Sequence, residues 1–177
     1  MKGKNMETGH RIKSGMENQT ILRNEMHLKF DAVSVNEAFA RIAVAAFVAP
    51  LNPTIEEISD IKTAVSEAVT NAIIHGYDAE YESENRLEEY QQIYLHCLIE
   101  DDVLQVEVKD TGKGIDDIEQ AMEPLFTTKP EMDRSGMGFA FMEAFMDDLE
   151  VISKPGAGTI VQMKKKLGIT SWIRQEE

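Results

Sequence analysis

Glu67, Asn71 and His75 fall at i, i+4 and i+8 within IEEISDIKTAVSEAVTNAIIHG, residues 55–76. On a helix that spacing makes one polar row. Ile58, Ile61, Val65, Ala68 and Ala72 recur with the helical period and give the same segment an apolar stripe. At about 100° per residue, the polar row runs along the border of that stripe and not opposite it. An ordinary surface helix carries Lys and Glu at such a border. A carboxylate one turn before a carboxamide, both at the edge of a core, is a pair that a metal–phosphate site can use. His75 reads as a structural histidine near the helix end.

Three glycine-bearing turns follow: Asp110-x-Gly112-x-Gly114, Gly136-Met137-Gly138 and Gly156-Ala157-Gly158-Thr159. A glycine at a strand end usually serves a turn, so each cluster alone says little. The ordered set after a helix carrying Glu-x-x-x-Asn is informative. Glycine lets backbone approach a ligand closely, and the N–H groups of Gly136 and Gly138, opening a helix, would favour phosphate. There is no G-x-x-x-x-G-K-[ST], which excludes a P-loop, and no G-x-G-x-x-G after a first strand, which excludes the usual dinucleotide fold. Lys113 reads as solvent-facing.

The elements that must position these residues are legible in order. Asn24–Asp31 alternates as a strand. Ser34 with Glu37 predicts a capping box for a helix that must end by Pro50, and Thr54 with Glu57 predicts another for the helix running to a stop at Gly76. Residues 77–91 form an acidic insertion, read as solvated. Gln92–Glu100 and Val103–Lys109 are strands of a hairpin. Ile115–Met122 is a short helix, 123–135 a long loop with two prolines, Gly136–Met146 a helix, and Glu150–Ser153 and Thr159–Lys165 the last strands. The fold class is therefore α/β (α+β): a two-layer sandwich with a mixed, mainly antiparallel sheet and helices on one face. Residues 1–22 read as a disordered extension, 23–168 as the domain and 169–177 as a short tail.

Composition narrows the function classes. With 32 acidic against 18 basic residues the formal net charge is -14, which argues against direct nucleic-acid binding and against anionic membranes. The single cysteine, Cys97, lies in an apolar run and excludes an intrachain disulfide framework and any cysteine-based zinc site. The methionines at 122, 132, 137, 142 and 146 read as core filler. With no apolar leader and no run near the ~20 residues that span a bilayer, the expectation is a cytoplasmic protein.

The residues now resemble a known family. Glu67-Ala-Val-Thr-Asn71-Ala-Ile-Ile-His75-Gly76, together with Pro124-Leu-Phe-Thr-Thr-Lys-Pro-Glu131 and Arg134-Ser-Gly-Met-Gly-Phe139, is similar to the GHKL superfamily, whose ATP site is the Bergerat fold. More narrowly it resembles the anti-sigma factors of spore-forming bacteria, over roughly Arg23–Leu167. It departs from them in residues 1–22 and in the longer acidic insertion. The resemblance implies ATP and Mg²⁺ as cofactors, with Asn71 holding Mg²⁺ through a hard oxygen ligand and Glu67 acting as general base toward a serine hydroxyl. Asp110 would accept the adenine amino group, supported by Thr159. Gly112, Gly114, Gly136 and Gly138 would line the nucleotide. Thr127, Thr128, Lys129 and Arg134 would form the ATP lid, with Arg134 at the γ-phosphate.

The implied function is an ATP-dependent serine/threonine protein kinase that is also an anti-sigma factor. It would inhibit a sporulation sigma factor of the F type when ATP-bound and phosphorylate a serine of its anti-anti-sigma antagonist. A homodimer through the first strand and helix is implied too, with Arg41 as a candidate partner contact. Two alternatives stay open: a nucleotide-gated sigma-binding module with negligible kinase activity, and a stress-type anti-sigma kinase with a different partner.

Overall fold

Alternating burial makes the sheet. Ile93, Leu95, Cys97 and Ile99 of β2 (Gln92–Glu100) and Leu104, Val106 and Val108 of β3 (Val103–Lys109) are buried, while Tyr94, His96 and Glu107 between them are not. The computed structural model describes residues 23–77, 91–126 and 136–168. The expected extension 1–22, the tail 169–177, most of the acidic insertion and the lid residues Thr127, Thr128, Lys129 and Arg134 lie outside the described residues.

The remaining strands are β1 (Arg23–Asp31), β4 (Asp148–Lys154) and β5 (Gly158–Lys166). Their order is β1-β2-β3-β5-β4, and every described pairing is antiparallel, so the expected mainly antiparallel sheet is wholly so among these residues. β2 and β3 form the expected hairpin, with Asp101 at φ 55 in its turn.

Three helices cover the sheet's apolar face: α1 (Val35–Val48), α2 (Ile55–Asn71) and α4 (Gly138–Phe145), α2 packing between the other two. Val44 and Val48 of α1, Ile61, Val65 and Val69 of α2 and Met142 of α4 are buried against Leu95, Val106 and Met163. Burying a side chain of this size stabilises by about 1.5–3 kcal/mol relative to exposure, so the helices are held by their faces more than by propensity.

The box at Thr54 forms as expected. The Glu57 amide donates to the Thr54 hydroxyl at 3.1 Å and the Thr54 amide to the Glu57 carboxylate at 2.7 Å. The box expected at Ser34 does not form. Glu37 is drawn off by the Ser66 hydroxyl, which donates to it from α2 at 2.5 Å, and Ser34 itself has helical backbone angles. The helix expected to run to Gly76 is α only to Asn71, after which Ala72–Gly76 form a π turn. A short helix α3 (Ile118–Met122) starts later than expected, because Asp117 caps it by accepting from the Gln120 amide at 3.0 Å.

Candidate functional site

The π turn, the end of β3, the start of β5 and the start of α4 enclose a cavity of about 500 Å³. Asn71, Gly76, Asp110, Gly114, Gly138 and Thr159 are among its lining residues. The sequence placed these residues on four separate elements, and the fold brings them to one space.

Asp110 follows β3 and is only 4% exposed. Burial pushes its carboxyl above the ordinary range, while the Gly112 and Thr159 amides oppose the shift. Both amides donate to Oδ1, at 2.8 and 3.3 Å, and Oδ2 accepts no hydrogen bond among the described residues. A buried carboxylate with one oxygen saturated and the other bare is an acceptor waiting for a donor. Glycine is required beside it: a Cβ on Gly112 would collide with the Gly76 carbonyl, which accepts from the Lys113 amide at 2.9 Å. Lys113 itself is exposed at the rim, as expected.

The other pole lies at the α2–α4 contact. A Cβ on Gly138 would stand 3.1 Å from Glu67 Oε2 and 3.3 Å from the Asn71 carboxamide, so α4 begins directly against this pair. Gly138 opens α4, where the first amides have no partner within the helix. Asn71 lines the cavity, and Glu67, one turn earlier, does not. Gly136 takes φ +61 at the mouth, and its carbonyl accepts from the Leu125 amide at 2.9 Å. His75 also lines the cavity. Arg41 is remote from it on α1, 3.5 Å from Glu37.

Two supporting residues were not anticipated. The Tyr77 hydroxyl donates to the Gln92 carbonyl at 2.6 Å and accepts from the Thr111 amide at 2.9 Å, tying the π turn to the Asp110 loop. Ser153 Oγ donates to the Gly158 carbonyl at 3.0 Å, accepts from the Ile115 amide at 2.9 Å and lies 2.9 Å from the Thr159 hydroxyl. Tyr77 directly after Gly76 could have been noticed. Nothing in the sequence marks Ser153.

The chain matches the histidine kinase-like ATPase domain over residues 30–165 and belongs to that family. Curated relatives to which it is similar include anti-sigma F factors. It is 56% identical to that of Clostridium beijerinckii, covering 84% of this chain and 98% of the relative, and 56% identical to that of Geobacillus sp. (strain WCH70), covering 81% and 93%. With that of Bacillus subtilis (strain 168) it shares 51% identity, covering 82% and 94%. Among solved structures it is similar to the RsbU and RsbW domains of a Mycobacterium tuberculosis protein, with a TM-score of 0.55 and 21% identity. That match covers 83% of this chain and 35% of the other, and it speaks to the fold alone. No helix of the described residues is long and apolar enough to cross a membrane.

Proposed function

We propose that this protein is an ATP-dependent serine protein kinase and anti-sigma factor. It holds a sporulation sigma factor of the F type in its ATP-bound state and phosphorylates a serine of the matching anti-anti-sigma protein. One observation carries the nucleotide assignment: a buried Asp110, whose Oδ2 accepts no hydrogen bond among the described residues, lines a glycine-walled cavity together with the Asn71 carboxamide. The donor set fits the family's ligand, since an acceptor-only carboxylate selects the adenine amino group and a carboxamide oxygen suits Mg²⁺.

In this reading Asp110 accepts from adenine, Thr159 steadies Asp110 through its amide, and Gly76, Gly112 and Gly114 keep the base end free of side chains. Asn71 contributes an oxygen to Mg²⁺, which when bound neutralises and orients the phosphate chain. The amides at Gly136 and Gly138 face phosphate at the start of α4. Glu67 accepts the proton of the attacking serine hydroxyl. Thr127, Thr128, Lys129 and Arg134 take the lid roles that the resemblance gives them, Arg134 at the γ-phosphate. The relatives' name, anti-sigma F factor, supports the sigma partner. So does α1, where Val35, Phe39 and Ile42 are 75%, 50% and 62% exposed beside Arg41, a surface suited to a protein partner or a second copy.

Incubation with [γ-³²P]ATP, Mg²⁺ and the anti-anti-sigma protein should label that protein on serine, and a pull-down should retain the sigma factor with ATP more than with ADP. A second reading, a nucleotide-gated binding module, is favoured by the position of Glu67 outside the cavity lining. Sigma retention without any labelling would select it.

A further inference from the structure

The sheet face turned away from the helices carries a second constellation that the nucleotide reading leaves unused. The β1–β2 register sets His27 directly opposite His96. Glu25, two residues earlier on β1, projects from the same face. The two imidazoles stack with centroids 4.3 Å apart and planes 5° from parallel. Both Nε2 atoms converge on a single carboxylate oxygen, Glu25 Oε1, at 3.2 Å from His27 and 2.9 Å from His96. One ligand atom from each of the three residues lies within 4.8 Å of the others.

We propose that Glu25, His27 and His96 form a binding site for a zinc-class divalent cation that clips edge strand β1 to β2. Two imidazole nitrogens with one carboxylate oxygen are the donors that zinc and its late first-row neighbours take, and they disfavour Mg²⁺ and Ca²⁺, which want oxygen throughout. The carboxylate is already oriented for this task. Arg23 holds Glu25 Oε2 at 2.9 Å and leaves Oε1 turned to the histidines, as an outer-shell partner does for a metal ligand. Glu107 faces His96 across the β2–β3 register and adds negative charge beside the site, its own carboxylate held by the Gln162 amide at 2.8 Å.

In the metal-free cluster both Nε2 atoms lie within hydrogen-bond distance of Oε1; a cation would replace any proton they share and sit between the three ligand atoms, the rings turning so that each Nε2 lone pair meets it. His27 is 70% exposed in its side chain, so solvent can supply the fourth ligand. Cys97, next to His96 in sequence, points to the opposite face and is fully buried, so it takes no part. Among the described residues β1 is an outer strand of the sheet, paired on one side only, and a cross-strand clip would stabilise the strand with most to gain.

The test is zinc retention by the nucleotide-free full chain, dialysed against Zn²⁺ alone and, in parallel, Mg²⁺ alone. The expected result is about one Zn²⁺ per chain, the stoichiometry of a single three-ligand site, with a rise in melting temperature that Mg²⁺ does not produce. His27→Gln and His96→Gln should abolish retention, and Glu25→Gln should weaken it about tenfold or more. His10→Gln and His75→Gln should bind zinc as the parent does. With Co²⁺ alone, the parent should show visible absorption bands that His27→Gln lacks. Absence of retention by the parent overturns the proposal, as does equal retention in His27→Gln and His96→Gln, or loss confined to His10→Gln. His27→Gln alters an exposed side chain, so ATP binding by that variant reports that the fold is intact.

Discussion

The Asp110 carboxyl carbon lies 3.0 Å from the point where a side chain on Gly76 would begin. The end of the long helical run and the buried Asp110 carboxylate are thus in direct contact, with no atom to spare. Gly76→Ala should push Asp110 out of register with the Gly112 and Thr159 amides. Overpacking of this kind costs about 1–3 kcal/mol, so thermal unfolding should shift downward by several degrees. ATP affinity should fall with it. An alanine variant with parental melting temperature and affinity would show that Asp110 can move aside.

Asp110→Asn separates stability from binding. Burial raises the carboxyl pKa in the folded state, so the stability contribution of this group is present below its unfolded value and is lost as pH rises through the folded one. Removing the charge removes that loss, and the variant at neutral pH should be as stable as the parent or more so. Its adenine nucleotide affinity should nevertheless fall about 10–100-fold, the loss of a hydrogen bond to a charged acceptor. For the parent, affinity should decline on acidification with a midpoint above the ordinary 3.8, as the acceptor gains a proton. Calorimetric titration with ATP across pH, parent against variant, measures both.

Glu67 and Asn71 are one turn apart but should fail differently. Glu67→Gln should bind ATP and sigma factor as the parent does and lose serine transfer by about 10²–10⁴-fold, the range for a positioned base. Asn71→Ala should weaken ATP far more in Mg²⁺ than in EDTA. Equal transfer by Glu67→Gln, or equal weakening of Asn71→Ala in both buffers, would remove the assigned role.

Tyr77→Phe deletes one hydroxyl that holds the Gln92 carbonyl and the Thr111 amide together. The cost should be about 1–2 kcal/mol in chemical denaturation, because a part-buried Gln92 carbonyl and an exposed Thr111 amide lose their shared partner. Hydrogen exchange at Thr111 and Gly112 should quicken more than in the β2–β3 hairpin. Uniform exchange across both would mean that the hydroxyl does not anchor the loop.

What the sequence made legible was local periodicity and local punctuation. The α2 face, the Thr54 box, the β2–β3 hairpin and the set of glycine turns all follow from spacing within a few residues. Residues whose role depends on a distant partner were out of reach. The Ser34 box failed because Ser66, 29 residues away, competes for Glu37. The Ser153 hub exists only once β4, β5 and the Ile115 backbone have met. The π turn was hidden because Ala72-Ile-Ile-His-Gly76 carries the same apolar pattern in either helical form. Glu25, His27 and His96 drew no notice because 69 positions separate the two histidines in the chain and only strand register unites them.

One continuous rod, α2 with its π turn, carries Asn71 at one station and presses Gly76 on Asp110 at another. On the proposed assignment of Asp110 to the base and Asn71 to the phosphate end, it would act as a gauge of nucleotide length, fixing how far the base may sit from the phosphates. Inserting a single alanine between Ile73 and Ile74 would rotate one station about 100° against the other. Such a chain could keep its core and still have nowhere to seat a molecule that must touch both marks at once.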